Sequence, residues 1–406
     1  MLNDAKQICL KAIDSCLPYD SVLKAIGQSD IDKDVYLVAV GKAAFSMAQA
    51  ASDSLNVIKG IVISKYGHIK GELKNIDTYE AGHPVLDENG IEATKKVIRM
   101  CSNLSENDTV LFLLSGGASS LFEDPIVSLE KLQDLNEQML KKGMNIEQMN
   151  TIRKKLSRVK GGRFADICAP AKVYSIILSD VLGDKIDVIG SGPTVKDSST
   201  VKQALELMER YDLDVDEDTI NRIKEAHEGK AENAVNQIVG SVSLLCRQAC
   251  EEAEKLGYRS LMINDHFDLD YEDARNYIYD LIERYRHAEE KLALILGGEI
   301  VVNVKGQGLG GRCQQLAFSQ VRHLSGMDNV LFMCVGSDGT DGPTDAAGAY
   351  VNGETCGRLL EKGIDPEKVL EDNDTYHAFE KIDSLIKTGP TGTNVNDLML
   401  ILIEPE

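Results

Sequence analysis

The sequence predicts two α/β domains, the first built on a mostly parallel sheet, and three observations carry that prediction. At 406 residues the chain is longer than one ordinary hydrophobic core supports. Short runs of aliphatic and β-branched residues alternate with longer amphipathic stretches, the pattern of repeated strand–helix units. Glycines gather directly after the short runs, where a chain leaving a strand has to turn.

Taken in order, the periodicity predicts a helix over 3–16, a strand over 35–40 (VYLVAV), a helix over 43–54 and a strand over 60–63. A helix over 88–101 and a strand over 109–114 (TVLFLL) follow, then helices over 128–142 and 146–158 and a strand over 173–178. An acidic helical stretch follows over 197–233, and its segment YDLDVDEDTINRIKEAHEGKAEN has few large apolar residues and reads as an exposed connector. Beyond it come a helix over 242–256, a strand over 258–263, a helix over 271–288 and strands over 292–296 and 300–304. A helix over 312–324, a strand over 329–335, a helix over 353–362 and a strand over 398–403 (LMLILI) complete the chain. The expected domains are 1–236 and 237–406.

Composition narrows the function. A net charge of −21 argues against a general nucleic-acid binder, which needs basic surface for phosphate backbones. It leaves room for a small anionic substrate, since a few basic groups make a local positive pocket. The longest apolar runs, YSIILS and LALIL, are far shorter than a membrane span. The N-terminal MLNDAKQICLKAIDSC carries charges throughout, unlike a signal peptide. A cytoplasmic protein with no membrane partner is expected. Nine cysteines without a C-x-x-C pair read as reduced thiols, and Cys246 and Cys250 have no third ligand near them in sequence.

Ligands of open α/β sheets collect at the carboxyl ends of strands, and five segments there carry chemistry. In VAVGKAAFSMA, Gly41 permits a tight turn and Lys42 stands at the mouth of a helix, although an isolated Gly-Lys pair is more often a surface lysine. In LFLLSGGASSLF, Gly116 and Gly117 with Ser115, Ser119 and Ser120 form a candidate anion cradle. The segment TIRKKLSRVKGGRFA is the most basic of the chain, which by default is a solvated helix face. Asp180 follows a strand in IILSDVLGD, with Asp184 four residues on, a pair suited to Mg²⁺ or to a plain Asp-capped turn. Last come Glu299 in LILGGEI, the glycines of KGQGLGGRCQQ with Arg312 at an expected helix start open to an anion, Asp338 in VGSDGTDGPTDAAGA, and Thr391 and Asn394 in KTGPTGTNVNDL.

Several common motifs are missing. There is no G-x-x-x-x-G-K-[ST], no protein-kinase H-R-D or D-F-G, no G-x-S-x-G elbow and no dinucleotide fingerprint. The residues alone indicate an α/β enzyme for a phosphorylated ligand.

Together the motifs resemble the type-2 glycerate kinases, the family with a MOFRL C-terminal domain. The resemblance runs in order through GKAAFSMA, GHPV at 82–85, SGGASSL, R-x-x-L-S-R-V-K-G-G-R, SDVLGD, SGPT, GGE, G-x-G-x-G-G-R, D-G-x-D-G-P-T-D-A-A-G-A and T-G-P-T-G-T-N-V-N-D-L. It implies a Rossmann-like N-terminal domain and a smaller C-terminal α/β domain, with the active site in the cleft between them. It implies ATP and Mg²⁺, and phosphorylation of D-glycerate at the 2-hydroxyl. The family's lysine falls on Lys42 and its arginine on Arg312. Chemistry adds Asp180 and Asp184 as metal ligands. It also adds Ser115, Gly116, Gly117, Ser119, Ser120, Glu299, Asp338, Thr391 and Asn394 as substrate or phosphate contacts. Cys313, Gln314 and Gln315 stand where the family usually has N-Q-E, Ile300 replaces a threonine, and Ala118 a glycine. These changes bear on which acid is used. The competing readings are a hydroxypyruvate or tartronate semialdehyde reductase using NAD(P)H, a kinase for a related sugar acid, and a non-catalytic binding protein. The residues neither require nor exclude a homo-oligomer.

Overall fold

The structure is a computed structural model that describes residues 1–405. The strand read as TVLFLL shows how the first unit is built, because all six of its side chains are buried. A strand apolar on both faces is stable only inside a sheet covered on both sides. That sheet has six strands: β1 (Asp34–Val40), β2 (Asn56–Lys65), β3 (Ile76–Ala81), β4 (Thr109–Leu114), β5 (Lys172–Leu178) and β6 (Ala234–Gly240), in the order β3-β2-β1-β4-β5-β6. The pairs from β3 through β5 are parallel, as a Rossmann-like sheet requires. One face is filled by Val35, Leu37, Met47, Ala51 and Leu111 under the helices Pro18–Gly27 and Ala44–Ser54. On the other, Phe112, Phe122 and Phe164 form an aromatic trio under the helix Glu88–Cys101, with Phe122 and Phe164 edge to face.

The stretch 197–233 is not a bare connector. Two helices within it, Val201–Arg210 and Glu217–Lys224, bury Ala204, Met208 and Ile223 against Leu132, Met139 and Ile152. Each large side chain so buried contributes roughly 1.5–3 kcal/mol. The acidic composition hid a regular apolar stripe and two N-caps, Thr200 and Asp216.

The second unit also holds six strands, β7 (Arg259–Phe267), β8 (Leu292–Gly298), β9 (Val330–Gly336), β10 (Gly348–Asn352), β11 (Leu385–Ile386) and β12 (Asp397–Ile403), in the order β11-β10-β9-β12-β8-β7. Only β7 and β8 are parallel among its pairs, since β12 runs antiparallel to both of its neighbours. The strand expected over 300–304 is a loop touching the sheet region at one bridge, Asp270 with Val301. Its Val301 and Val304 are 61% and 69% exposed, so no apolar surface receives them. The helix expected over 312–324 ends at Ser319.

By its internal contacts the chain divides into Pro18–Val239 and a unit made of Met1–Leu17 with Gly240–Glu406. The expectation that 1–17 belong with the N-terminal domain is therefore corrected. The helix Leu2–Asp14 lays Ala5, Ile8, Cys9, Ala12 and Ile13 against the helix Val242–Lys255 and strands β9 and β12. Tyr258 ties it down by donating to Asp4 at 2.9 Å, and Thr393 donates to the Cys16 carbonyl at 2.8 Å. No helix among the described residues is long and apolar enough to cross a membrane.

Candidate active site

In the first sheet the strand order reverses between β1 and β4, and the loops leaving these two strands are joined. The Lys42 N–H donates to the Gly116 carbonyl at 2.9 Å, and the Ala43 N–H to Ser115 Oγ at 3.1 Å. Such a reversal point is where open α/β sheets hold ligands. Gly117 has φ +88°, and a Cβ there would lie 2.8 Å from Cδ2 of His83 and 3.5 Å from Cε of Lys42. A Cβ on Gly116 would lie 2.3 Å from Oδ2 of Asp180. The loops after β1, β3, β4 and β5 thus bring Lys42, His83, Gly116, Gly117 and Asp180 together. From the loop after β2, His68 donates Nδ1–H to the Lys42 carbonyl at 3.1 Å. Burial, Lys42, Lys65 and His68 together hold the His83 imidazole below its usual range. In a chain of net charge −21, this is a local concentration of basic groups.

The serine hydroxyls are less available than the motif suggests. Ser115 Oγ, besides accepting from Ala43, donates to Val40 at 3.3 Å. Ser119 pairs with Ser191 at 3.1 Å, and Ser120 donates to the Gly117 carbonyl at 3.3 Å. These groups shape the loop, which leaves its backbone as the surface for a ligand. Asp184 takes φ +52° in the turn after β5. Mg²⁺ characteristically takes one or two carboxylates and fills its shell with water and phosphate oxygens. The carboxylate of Asp180 beside Gly116 fits that donor set, with Asp184 on the same turn. Among the described residues no three His, Cys, Asp or Glu side chains gather as a metal cage.

The basic segment 151–165 is not a solvated face. Lys154, Lys155, Lys160 and Arg163 are all buried. Lys155 donates to Asp197 at 2.7 Å and to the Ser199 carbonyl at 2.6 Å. Lys160 donates to Glu123 at 2.5 Å and to the carbonyls of Ser119 and Phe122 at 2.9 and 3.1 Å. It therefore fastens the far end of the Ser-Gly loop, and burial lowers its pKa. Arg163 donates to the carbonyls of Lys154 and Lys160 at 2.5 and 2.9 Å. Carbonyls that need buried donors, not solvent, explain this charge run.

In the second unit a pocket of about 550 Å³ is lined by Glu299, Gly311, Arg312, Asp338, Thr340 and Asp341, among others. Arg312 is held by acids. Its Nε and Nη2 donate to the two oxygens of Asp397 at 2.6 and 3.0 Å, and Nη1 donates to Glu299. Three of the five N–H donors of a guanidinium are thereby engaged, which leaves two for a ligand. Asp397, at the start of β12, is fully buried; desolvation lifts its carboxyl to about 6, while Arg312 pulls the other way. Asn396 donates to the second oxygen of Glu299 at 3.1 Å.

The helix that Arg312 opens is not free to receive an anion, contrary to expectation. Asp341 accepts from the Cys313 and Gln314 N–H groups at 3.0 and 2.8 Å, so the helix start already has its negative charge. The preceding glycines are laced to a neighbouring turn. Gly306 donates to Asn373 at 3.0 Å, Gly308 to the Asp372 carbonyl at 2.8 Å, and Leu309 to Asp374 at 3.0 Å. Backbone of Asp372 and Asp374 packs against Gly306 and Gly308, and the side chains of Thr375 and Asp341 fill the space beside Gly310 and Gly311. Asp338 accepts from Thr340 N–H at 2.9 Å. Thr391 braces this turn by donating Oγ1–H to Ser337 at 2.6 Å and N–H to Asp338 at 3.1 Å, and Asn394 accepts from Asn396 at 3.3 Å. Thr391 and Asn394 thus support the pocket wall. Sequence reasoning missed Asp397, Asp341 as a cap, and His83. The N-D-L and G-H-P segments that carry Asp397 and His83 were visible, but nothing in their spacing indicated these contacts.

Residues 4–224 match the family described as "Domain of unknown function (DUF4147)", and residues 292–397 match the MOFRL family. The chain is 46% identical to D-glycerate 2-kinase of Thermotoga maritima, over 98% of this chain and 97% of that one. It is 39% identical to glycerate 2-kinase of Pyrococcus horikoshii over 98% of each chain. Its structure is similar to the crystal structure of glycerate kinase from Thermotoga maritima, with a TM-score of 0.95 and 45% identity over 99% of each chain.

Proposed function

The chain belongs to the type-2 glycerate kinase family, and from that premise we propose that it transfers the γ-phosphoryl group of ATP to the 2-hydroxyl of D-glycerate. Besides the family match, one observation carries this reading: Lys42 and the Gly116–Gly117 loop are locked together at the strand reversal, with Asp180 beneath the loop. Phosphoryl transfer calls for positioning and charge stabilisation more than covalent chemistry.

Lys42 neutralises charge on the phosphoryl group in flight. The backbone of Gly116 and Gly117 approaches the phosphates, which side chains at these positions would prevent. Asp180, with Asp184, would hold Mg²⁺, whose charge offsets that of the nucleotide phosphates when it is bound. Arg312 grips the glycerate carboxylate through its two remaining N–H groups, while Asp397 and Glu299 fix the guanidinium plane. Asp338, Thr391 and Asn394 support this pocket from behind. Cys313, Gln315 and Ile300 bear on which acid it prefers, with Ile300 and Gln315 lining the pocket and Cys313 buried beside them.

The test is ADP release from ATP and Mg²⁺ in the presence of D-glycerate, run beside NADH consumption with hydroxypyruvate. Glycerate-dependent ADP supports the proposal, and NADH loss without it would replace the kinase by the reductase. The NMR phosphorus coupling of the product, to one C2 proton or to the C3 pair, reports which hydroxyl was phosphorylated.

A further inference from the structure

His83 touches the Ser-Gly loop and has been given no task. A Cβ on Gly117 would stand 2.8 Å from its Cδ2 and 3.0 Å from its Nε2, so that edge of the ring faces the loop. Cε of Lys42 lies 3.5 Å from the same point, so imidazole and lysine flank one spot above Gly117. In the neutral ring protonated on Nδ1, Nε2 carries a lone pair on the edge that faces the loop.

The charged groups facing the ring are Lys42 from the loop after β1, Lys65 at the end of β2, and His68 from the loop after β2. With burial they disfavour the imidazolium. Asp87, further along the loop of His83, is engaged with Tyr66 at 2.7 Å and the Gly90 N–H at 3.0 Å. At neutral pH the ring is therefore a neutral acceptor set beside the lysine assigned to the phosphoryl group.

We propose that His83 is the base that takes the proton of the acceptor hydroxyl, an assignment that rests on the kinase reading above. In the step, the hydroxyl O–H bond breaks and its proton passes to Nε2. The oxygen forms a bond to the γ-phosphorus. The bond from that phosphorus to the β,γ-bridging oxygen breaks, and its electron pair leaves on ADP. Lys42 remains cationic throughout and offsets charge on the transferring group.

The experiment compares pH profiles of glycerate-dependent ADP release for the wild-type enzyme, His83→Asn, His83→Gln and His83→Ala, the last with and without added imidazole. The wild type is expected to show an acidic limb with a midpoint below the usual 6.5 of histidine. His83→Asn should lose this limb and about 10²–10³-fold in kcat, with KM for ATP changed by less than about threefold. Imidazole should restore part of the His83→Ala activity. Three results would each overturn the assignment: an intact acidic limb in His83→Asn, a loss confined to KM, or a fall in Tm in all three variants without imidazole rescue. A wild-type enzyme that releases no ADP with glycerate would instead remove the kinase reading itself.

Discussion

Asp397 holds Arg312 by two near-parallel contacts, Nε–H to Oδ2 at 2.6 Å and Nη2–H to Oδ1 at 3.0 Å. A lysine keeps the charge but cannot make both. Arg312→Lys should lower kcat/KM by roughly 30- to 200-fold, the equivalent of about 2–3 kcal/mol. Arg312→Ala strands a buried carboxylate, which costs about 3–5 kcal/mol and should lower Tm by roughly 6–20 °C in a unit of this size. Steady-state kinetics and thermal unfolding of both variants check this. Normal glycerate kinetics in Arg312→Lys would mean that the arginine serves only the fold.

The same pair predicts a pH signature. Asp397 titrates near 6 in the folded chain against an ordinary 3.8, so the folded state binds its proton more tightly than the unfolded state. Its stabilising contribution is full below about pH 4 and is lost as pH rises through about 6. The stability of wild type minus that of Asp397→Asn should therefore shrink across this window, by about 3 kcal/mol for a two-unit shift. Urea unfolding at half-unit steps from pH 4 to 7 measures it, and a constant difference would count against the raised pKa.

Gly116→Ala places a methyl group where Asp180 Oδ2 stands, 2.3 Å from the new carbon. The carboxylate must move, so turnover should fall at least tenfold and half-saturation by Mg²⁺ should shift upward. Asp180→Asn should shift it in the same direction. If titration of activity with Mg²⁺ gives wild-type curves for both variants, Asp180 is a turn residue and no more.

Lys160 anchors the end of the Ser-Gly loop from below. Lys160→Met leaves Glu123 buried without its cation and should cost about 3–5 kcal/mol. Pairing it with Glu123→Gln should recover more than half of the loss, because no charge is then stranded. Chemical denaturation of the single and double variants decides the point.

All nine cysteines are free thiols, and Cys250 alone is not fully buried. Unreduced protein in denaturant should titrate nine thiols, whereas native protein should show one fast-reacting group. Fewer than nine in denaturant would reveal a disulfide.

Much of this was legible in the sequence wherever apolar pattern and local chemistry coincide. TVLFLL and LMLILI announce buried strands by composition alone, and ENGIEATKKVIRMC announces its helix by period. Strand direction in the second sheet was not legible, because pairing depends on partners far away in sequence. Charge misled twice. The lysines of 154–160 look solvated until the carbonyls and carboxylates that face them are known, and the acidic stretch 197–233 hides Met208 and Ile223 on one face. The glycines before Arg312 read as leading to a helix start open to an anion, but what lies against them is the turn at 372–374 and Asp341.

The helix Leu2–Asp14 packs with residues that lie more than 220 positions later in the chain. During synthesis the first segment to emerge has to wait for the last, whereas Pro18–Val239 can assemble from one contiguous length. Cutting the gene at Gly240 would consequently divide a sheet from its own cover. A fragment starting at Gly240 would present the apolar surface meant for Ile8 and Ile13, and the complementary piece would carry an orphan amphipathic helix. Joining residues 1–17 ahead of Gly240 through a flexible linker is the arrangement from which a soluble second unit is expected.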